Sequence, residues 1–329
     1  MDEHKKIISL FGEDTPAFHF LNQKALEYAN SLGYDYEWKL MDPFDMDVAV
    51  EALNQADVGI IDIQKYDQRV FERFSDRLKL LVRFGVGFEN VDLDAATKKG
   101  IAVARTTGAN TIGVAEMAVS LMLTMARKLR TLNQSVEKGV WQKDVAHELY
   151  GSTVGIVGFG SIGQKLAAML KGFDCEIIVY DPFPNEAVIE AAGVKLVSLD
   201  QVFQQADFIS IHAAATPENY HMVDAHKLDM MKPNAILVNT SRGTLVDECA
   251  LADALDQGKI GGAALDVLEV EPASVNHPLL HRENVMITSH ASSQTYESLW
   301  RIYQLAIEIA DDICTGKGSR HVLNPEVFD

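Results

Sequence analysis

The stretch Gly158-Phe159-Gly160-Ser161-Ile162-Gly163 constrains the fold of this chain more than any other, because of what stands on either side of it. It follows a strand-like run, Thr153-Val154-Gly155-Ile156-Val157, and opens a helix-like run, Gln164-Lys165-Leu166-Ala167-Ala168-Met169-Leu170. A second strand-like run, Glu176-Ile177-Ile178-Val179-Tyr180, ends in Asp181, 18 residues past Gly163. A glycine-rich turn alone is common. Strand, turn, helix, strand and terminal acid in this order form a βαβ dinucleotide fingerprint. Gly158 permits the tight turn, Gly160 lets a pyrophosphate approach the backbone, and Gly163 allows close helix–strand packing. The helix N-terminus offers unpaired N–H groups and a positive dipole end to the phosphates.

The acid also bears on which dinucleotide binds. A carboxylate at Asp181 accepts hydrogen bonds from ribose hydroxyls and repels a 2′-phosphate. The residues that follow, Pro182-Phe183-Pro184-Asn185, bring no arginine to neutralise one, so NAD is expected rather than NADP. A net charge of −18 argues against nucleic acid or an anionic membrane as a partner. It also means that an anionic substrate needs a local cation. The 329 residues suffice for two domains, and 47% hydrophobic content supports well-buried cores. The cysteines, Cys175, Cys249 and Cys314, lie far apart with no CxxC spacing, so neither a disulfide nor a metal site is expected. The polar start and the lack of a membrane-length apolar run read as a soluble, cytoplasmic chain.

Strand and helix patterns alternate on both sides of the fingerprint, which predicts parallel sheets covered by helices. The first block has strands at Ile7-Ile8-Ser9-Leu10-Phe11, Val58-Gly59-Ile60-Ile61-Asp62-Ile63, Leu78-Lys79-Leu80-Leu81-Val82 and Ile101-Ala102-Val103-Ala104. Helices are expected at 17–31 and 67–76. One long helix, capped by Asn110 or Thr111, is expected to reach Leu132, its Met-rich stripe reading as core packing. Later strands read at 208–211, 235–239, 262–266 and 285–288, with a final amphipathic helix at 294–313.

Ligands of open parallel sheets bind at the carboxyl ends of strands. There the sequence places Asn239-Thr240-Ser241-Arg242-Gly243, then Asp266 with Glu271-Pro272 five residues on, then His290 in Thr288-Ser289-His290-Ala291-Ser292. A histidine titrating near ~6.5 suits proton transfer at working pH. A carboxylate beside it favours the protonated ring, and an arginine fork polarises a keto oxygen or holds a carboxylate. Arg242, Glu271 and His290 thus form a candidate set for interconverting an alcohol and a carbonyl.

These motifs, in this order, resemble the D-isomer-specific 2-hydroxyacid dehydrogenase family, in its D-3-phosphoglycerate dehydrogenase-like branch. Gly85-Val86-Gly87-Phe88-Glu89-Asn90-Val91-Asp92 resembles the family's substrate-domain loop, and Asn324-Pro325-Glu326-Val327 a common ending. The resemblance implies an α/β protein of two domains, with a Rossmann-type NAD domain (104–293) inserted in a flavodoxin-like substrate domain (1–103 and 294–329). It implies His290 as general acid/base, Glu271 as its partner and Arg242 as the substrate-orienting cation. Val86 and Gly87 would offer N–H groups to a substrate carboxylate. Ser161 and Ile162 would contact the pyrophosphate, Thr240 and Asp266 would lie near the nicotinamide half, and Ala213 would line the cofactor cleft. The substrate would be a small anionic 2-oxo or 2-hydroxy acid of the 3-phosphoglycerate, hydroxypyruvate or glyoxylate type. The implied assembly is a homodimer, with the helix from Thr111 in the contact.

Arg83, just before the glycine loop, is a candidate cation for a phosphate or second carboxylate, and Arg105 stands where the branch often has asparagine. Glu89 replaces a usual aspartate, Ser289 a usual proline, and His212-Ala213-Ala214 lacks a common proline. No carboxyl-terminal regulatory domain, and hence no serine control through one, is expected. The alternative reading of the same fold is an NAD-sensing regulator or corepressor-like binding module.

Overall fold

The computed structural model describes residues 5–42 and 45–329; the polar stretch 1–4 lies outside them. The chain forms two compact units, Met1–Asn110 with Gln294–Asp329, and Thr111–Ser293.

Unit 1 carries strands β1 (Lys6–Phe11), β2 (Asp35–Leu40), β3 (Val58–Ile61), β4 (Leu80–Arg83) and β5 (Ala102–Arg105). They form one parallel sheet in the order β2-β1-β3-β4-β5, the flavodoxin-like arrangement. Helices α1 (Pro16–Ser31), α2 (Met46–Leu53), α3 (Gln68–Phe71), α4 (Leu93–Lys99) and α12 (Tyr296–Cys314) complete it. The expected first domain boundary was about 103; the structure divides after Asn110, because β5 runs to Arg105 and pairs with β4 throughout.

Unit 2 carries α5 (Thr111–Ala126), α6 (Leu129–Glu137), β6 (Thr153–Val157), α7 (Ser161–Leu170), β7 (Glu176–Tyr180), α8 (Glu186–Ala192) and β8 (Lys195–Leu196). It continues through α9 (Leu199–Gln205), β9 (Phe208–Ile211), α10 (Ala225–Met230), β10 (Ile236–Asn239), α11 (Glu248–Asp256), β11 (Gly262–Leu265) and β12 (Val285–Ile287). Its seven strands lie parallel as β12-β11-β10-β9-β6-β7-β8, so the order reverses between β6 and β9, as in a doubly wound dinucleotide fold. The central strands β6, β9, β10 and β11 are buried on both faces, which is why they read as nearly continuous apolar runs.

Two expectations fail locally, and one of two cap candidates drops out. The helix expected at 67–76 is only Gln68–Phe71, capped by Asp67 and ended as Ser75 N–H donates to Asn54 Oδ1 at 2.6 Å. The long helix expected to Leu132 breaks at Lys128, where φ is +51° and no glycine or proline announces it. The freed Ala126 carbonyl accepts from His147 N–H at 3.0 Å, so a returning segment completes the helix end. Asn110 does not cap α5 through its side chain: its Oδ1 is buried without a partner.

Candidate active site

The fingerprint turn sits where its sequence places it, between β6 and α7 at the strand-order switch. Gly158 has φ +94°, and a Cβ there would lie 2.7 Å from the His212 carbonyl carbon. A Cβ on Gly163 would collide with the Gly158 carbonyl oxygen. The turn is therefore closed to any side chain at either position, and Ala213, which follows β9, packs directly against it. Gly160 faces open space and is the N-cap of α7 without a side-chain cap. Among the described residues, the N–H groups of Ser161 and Ile162 meet no acceptor. A bare N-terminus beside a glycine that leaves room is a cradle for a pyrophosphate. Asp181, at the end of β7, receives Phe159 N–H at 2.7 Å and Phe183 N–H at 2.8 Å, one on each carboxylate oxygen. It thus shapes the turn and keeps lone pairs for ribose hydroxyls. Thr240, after β10, is buried with its hydroxyl unpartnered. The residues present fit a dinucleotide.

Asp266, expected near the nicotinamide half of the cofactor, anchors the loop of His290. It is 1% exposed at the end of β11, and Thr288 Oγ1 donates to its Oδ1 at 2.5 Å, as does Ala291 N–H at 2.9 Å. Ser292 donates to Oδ2 from its N–H at 2.9 Å and from its hydroxyl. A carboxylate has about four lone-pair sites, and these four bonds fill them. The Asp266 carbonyl also accepts His290 N–H at 2.8 Å. These bonds hold His290 at φ +54°, a left-handed conformation that costs a non-glycine residue about 1–3 kcal/mol and persists only where its surroundings fix it. Thr288 and Ser292 were not singled out as site residues; their spacing around His290 is their only signal in the sequence.

The fixed loop brings His290 Nδ1 to 2.9 Å from Glu271 Oε2, and the ring is 49% exposed. Glu271 Oε1 is tied to Leu268 N–H at 2.9 Å. Burial alone would push Glu271 up, but the bonds from His290 and Leu268, with the His290 and Arg242 charges, hold it below the usual carboxylate range. The Glu271 bond raises His290 above an ordinary histidine, against partial burial and the repulsion of Arg242. Arg242 follows β10 and donates from Nη1 to the Ser241 carbonyl at 2.8 Å. Its charge is felt at both Glu271 and His290, so the structure brings the three together.

In unit 1 the loop after β4 holds Val86 and Gly87, whose N–H groups meet no acceptor among the described residues. Arg83, the candidate substrate cation, is ion-paired within unit 1. Its side chain is 13% exposed, and Nη1 donates to Asp62 Oδ1 at 2.9 Å and to the Phe84 carbonyl at 2.5 Å. Arg105 Nη1 lies 3.4 Å from the Val86 carbonyl, with its guanidinium 5.1 Å from the Phe88 ring centre.

Residues 119–292 match the family model for the D-isomer specific 2-hydroxyacid dehydrogenase NAD binding domain. The chain is 39% identical over 279 residues to a D-3-phosphoglycerate dehydrogenase of Methanocaldococcus jannaschii, covering 84% of this chain and 53% of that one. It therefore spans about half the length of that relative. It is 36% identical over 297 residues to a glyoxylate reductase of Korarchaeum cryptofilum, covering 88% of this chain and 89% of that one. The solved apo D-lactate dehydrogenase of Escherichia coli superposes with TM-score 0.85 at 31% identity, over 97% of this chain and 99% of that one. On the match over both chains' length, with the NAD-domain model behind it, this chain belongs to the D-isomer-specific 2-hydroxyacid dehydrogenase family.

Proposed function

We propose that the chain is an NAD-dependent oxidoreductase that interconverts a small 2-oxo acid and its D-2-hydroxy acid. The observation that carries this reading is the 2.9 Å Glu271–His290 bond on the fixed loop, within the field of Arg242. NAD, when bound, supplies the hydride chemistry. The chain's own residues handle everything else. His290, bonded through Nδ1, presents Nε2 outward and in reduction delivers the proton to the developing alkoxide. Glu271 orients the ring and stabilises its charged form. Arg242 holds the substrate and polarises its keto oxygen.

The paired state of Arg83 supports unphosphorylated acids, glyoxylate and hydroxypyruvate, ahead of a phosphorylated one. A guanidinium neutralised by Asp62 brings little net charge to a phosphate. The homodimer reading is supported by apolar side chains on α6 and the segment after it: Leu129, Val136, Val140, Trp141 and Val145 are all at least half exposed, Val145 by 90%. Light scattering on the purified chain should give twice its 36.3 kDa mass.

The decisive experiment is NADH oxidation with glyoxylate, hydroxypyruvate, pyruvate and 3-phosphohydroxypyruvate. Turnover is expected on at least one unphosphorylated acid. His290→Ala should lose it while binding NADH as before. NADH binding with no turnover on any acid would reject the enzyme reading in favour of an NAD-sensing module.

A further inference from the structure

A second histidine–carboxylate pair lies behind the first. Glu248 opens α11, and its Oε2 is 2.9 Å from His277 Nε2, with both side chains only 11% exposed. Leu279 N–H points at His277 Nδ1 at 3.4 Å, which leaves Nε2–H to donate to Glu248. The other oxygen of Glu248 accepts Glu269 N–H at 2.8 Å. Glu269 lies between Leu268, whose N–H holds Glu271, and Glu271 itself. On the other side of the same peptide a Cβ on Gly243 would overlap the Leu268–Glu269 backbone, so the turn carrying Arg242 packs against this loop with no room to spare. The Glu269 side chain is tied outward, to Tyr220 OH at 2.5 Å and to His221 Nε2 at 3.2 Å.

We infer that Glu248, oriented by His277, is a positioning residue for the proton-transfer pair: it fixes the loop 268–272 through Glu269 N–H and so sets the distance from Glu271 to His290. An N-terminal helix acid needs no second role, since it complements the helix dipole. What distinguishes Glu248 is that both its oxygens are committed away from its own helix, one to a nearly buried histidine and one to the loop that carries Glu271. Without this acceptor the Glu269 N–H is unmatched and the loop is free to drift, and displacements of this kind near a reacting centre cost rate steeply.

The role in catalysis rests on the reaction proposed above, so the test has one readout that needs no turnover. NMR with ring-labelled histidine follows the titration of His290, assigned by its loss in His290→Ala. That ring faces Glu271, Arg242 and Asp266. Glu248→Ala should move its titration to lower pH, because a displaced Glu271 no longer favours the charged ring. His277→Gln should move it the same way by less. With the acid turned over best, Glu248→Ala should lower kcat by about tenfold to a hundredfold, with NADH affinity unchanged. Glu248→Gln keeps an acceptor oxygen for Glu269 N–H and should return kcat to within about threefold of the parent. An unmoved His290 titration in both Glu248→Ala and His277→Gln overturns the inference, as does a glutamine variant as slow as the alanine one. A parent protein that turns over no acid rejects the proposed reaction instead and leaves the titration to decide the positioning role.

Discussion

Unit 2 holds two histidine–glutamate pairs with the same 2.9 Å separation, Glu271–His290 and Glu248–His277. In the first the ring is 49% exposed and sits on a left-handed residue; in the second both groups are 11% exposed and closed over by Leu279 and the Glu269 peptide. The bond is the same and the surroundings differ. A ring that reaches solvent from one nitrogen can hand a proton to a substrate. A ring bonded on both nitrogens can only hold its neighbours in place. Chemical identity and distance therefore do not assign a role; the access of the second nitrogen does.

The sharpest way to break that comparison is to remove each histidine in turn. His290→Ala should cost about a hundredfold to ten-thousandfold in turnover, the usual range for a general acid, and leave the denaturant midpoint nearly unchanged. His277→Ala should do the reverse. It leaves a nearly buried carboxylate short of a partner, a loss of about 1–3 kcal/mol in unfolding free energy, and turnover should fall far less than in His290→Ala. Equal turnover losses in the two variants would erase the distinction.

A smaller effect separates the charge of Glu271 from its shape. Glu271→Gln keeps a hydrogen-bonding group beside His290 but loses the carboxylate that raises its pKa. Reduction needs the protonated ring, so its rate is present at low pH and lost as pH rises through the His290 pKa. In the parent that limb should lie above the ordinary histidine value of about 6.5, and in Glu271→Gln it should move down. Oxidation needs the neutral ring, so its acidic limb should move down with it. A basic limb that stays in place would mean that Glu271 does not set the proton affinity of His290.

Much of this arrangement was legible in the sequence, and the reasons are local. The turn at Gly158 is dictated by backbone sterics within a few residues, and the parallel strands by runs of apolar residues that need both faces buried. Arg242, Glu271 and His290 stand at strand ends, and strand ends in such a sheet lie on one edge. What went unread depended on neighbours far away in the chain. The break at Lys128 is matched by His147 N–H taking the Ala126 carbonyl, a bond no helix pattern encodes. β2 is an edge strand with a partly exposed pattern and carries little apolar signal. Glu248 is an acid in the first turn of α11, and no local pattern signals its bond to Glu269 N–H.

The sequence by itself determined the two α/β blocks, the dinucleotide turn and the residue types of the proton-transfer set, because strand and helix periods and glycine sterics act over a few residues. Only the tertiary structure decided how the charges are matched. Register pairs Ile61 with Arg83 across β3 and β4, and so places Asp62 against a cation that had looked available to substrate. The loop 288–292 folds around Asp266 and makes it the anchor of His290. Both outcomes have one physical reason. A charged group takes the partner that the sheet brings nearest, and that neighbour is set by strand order and register.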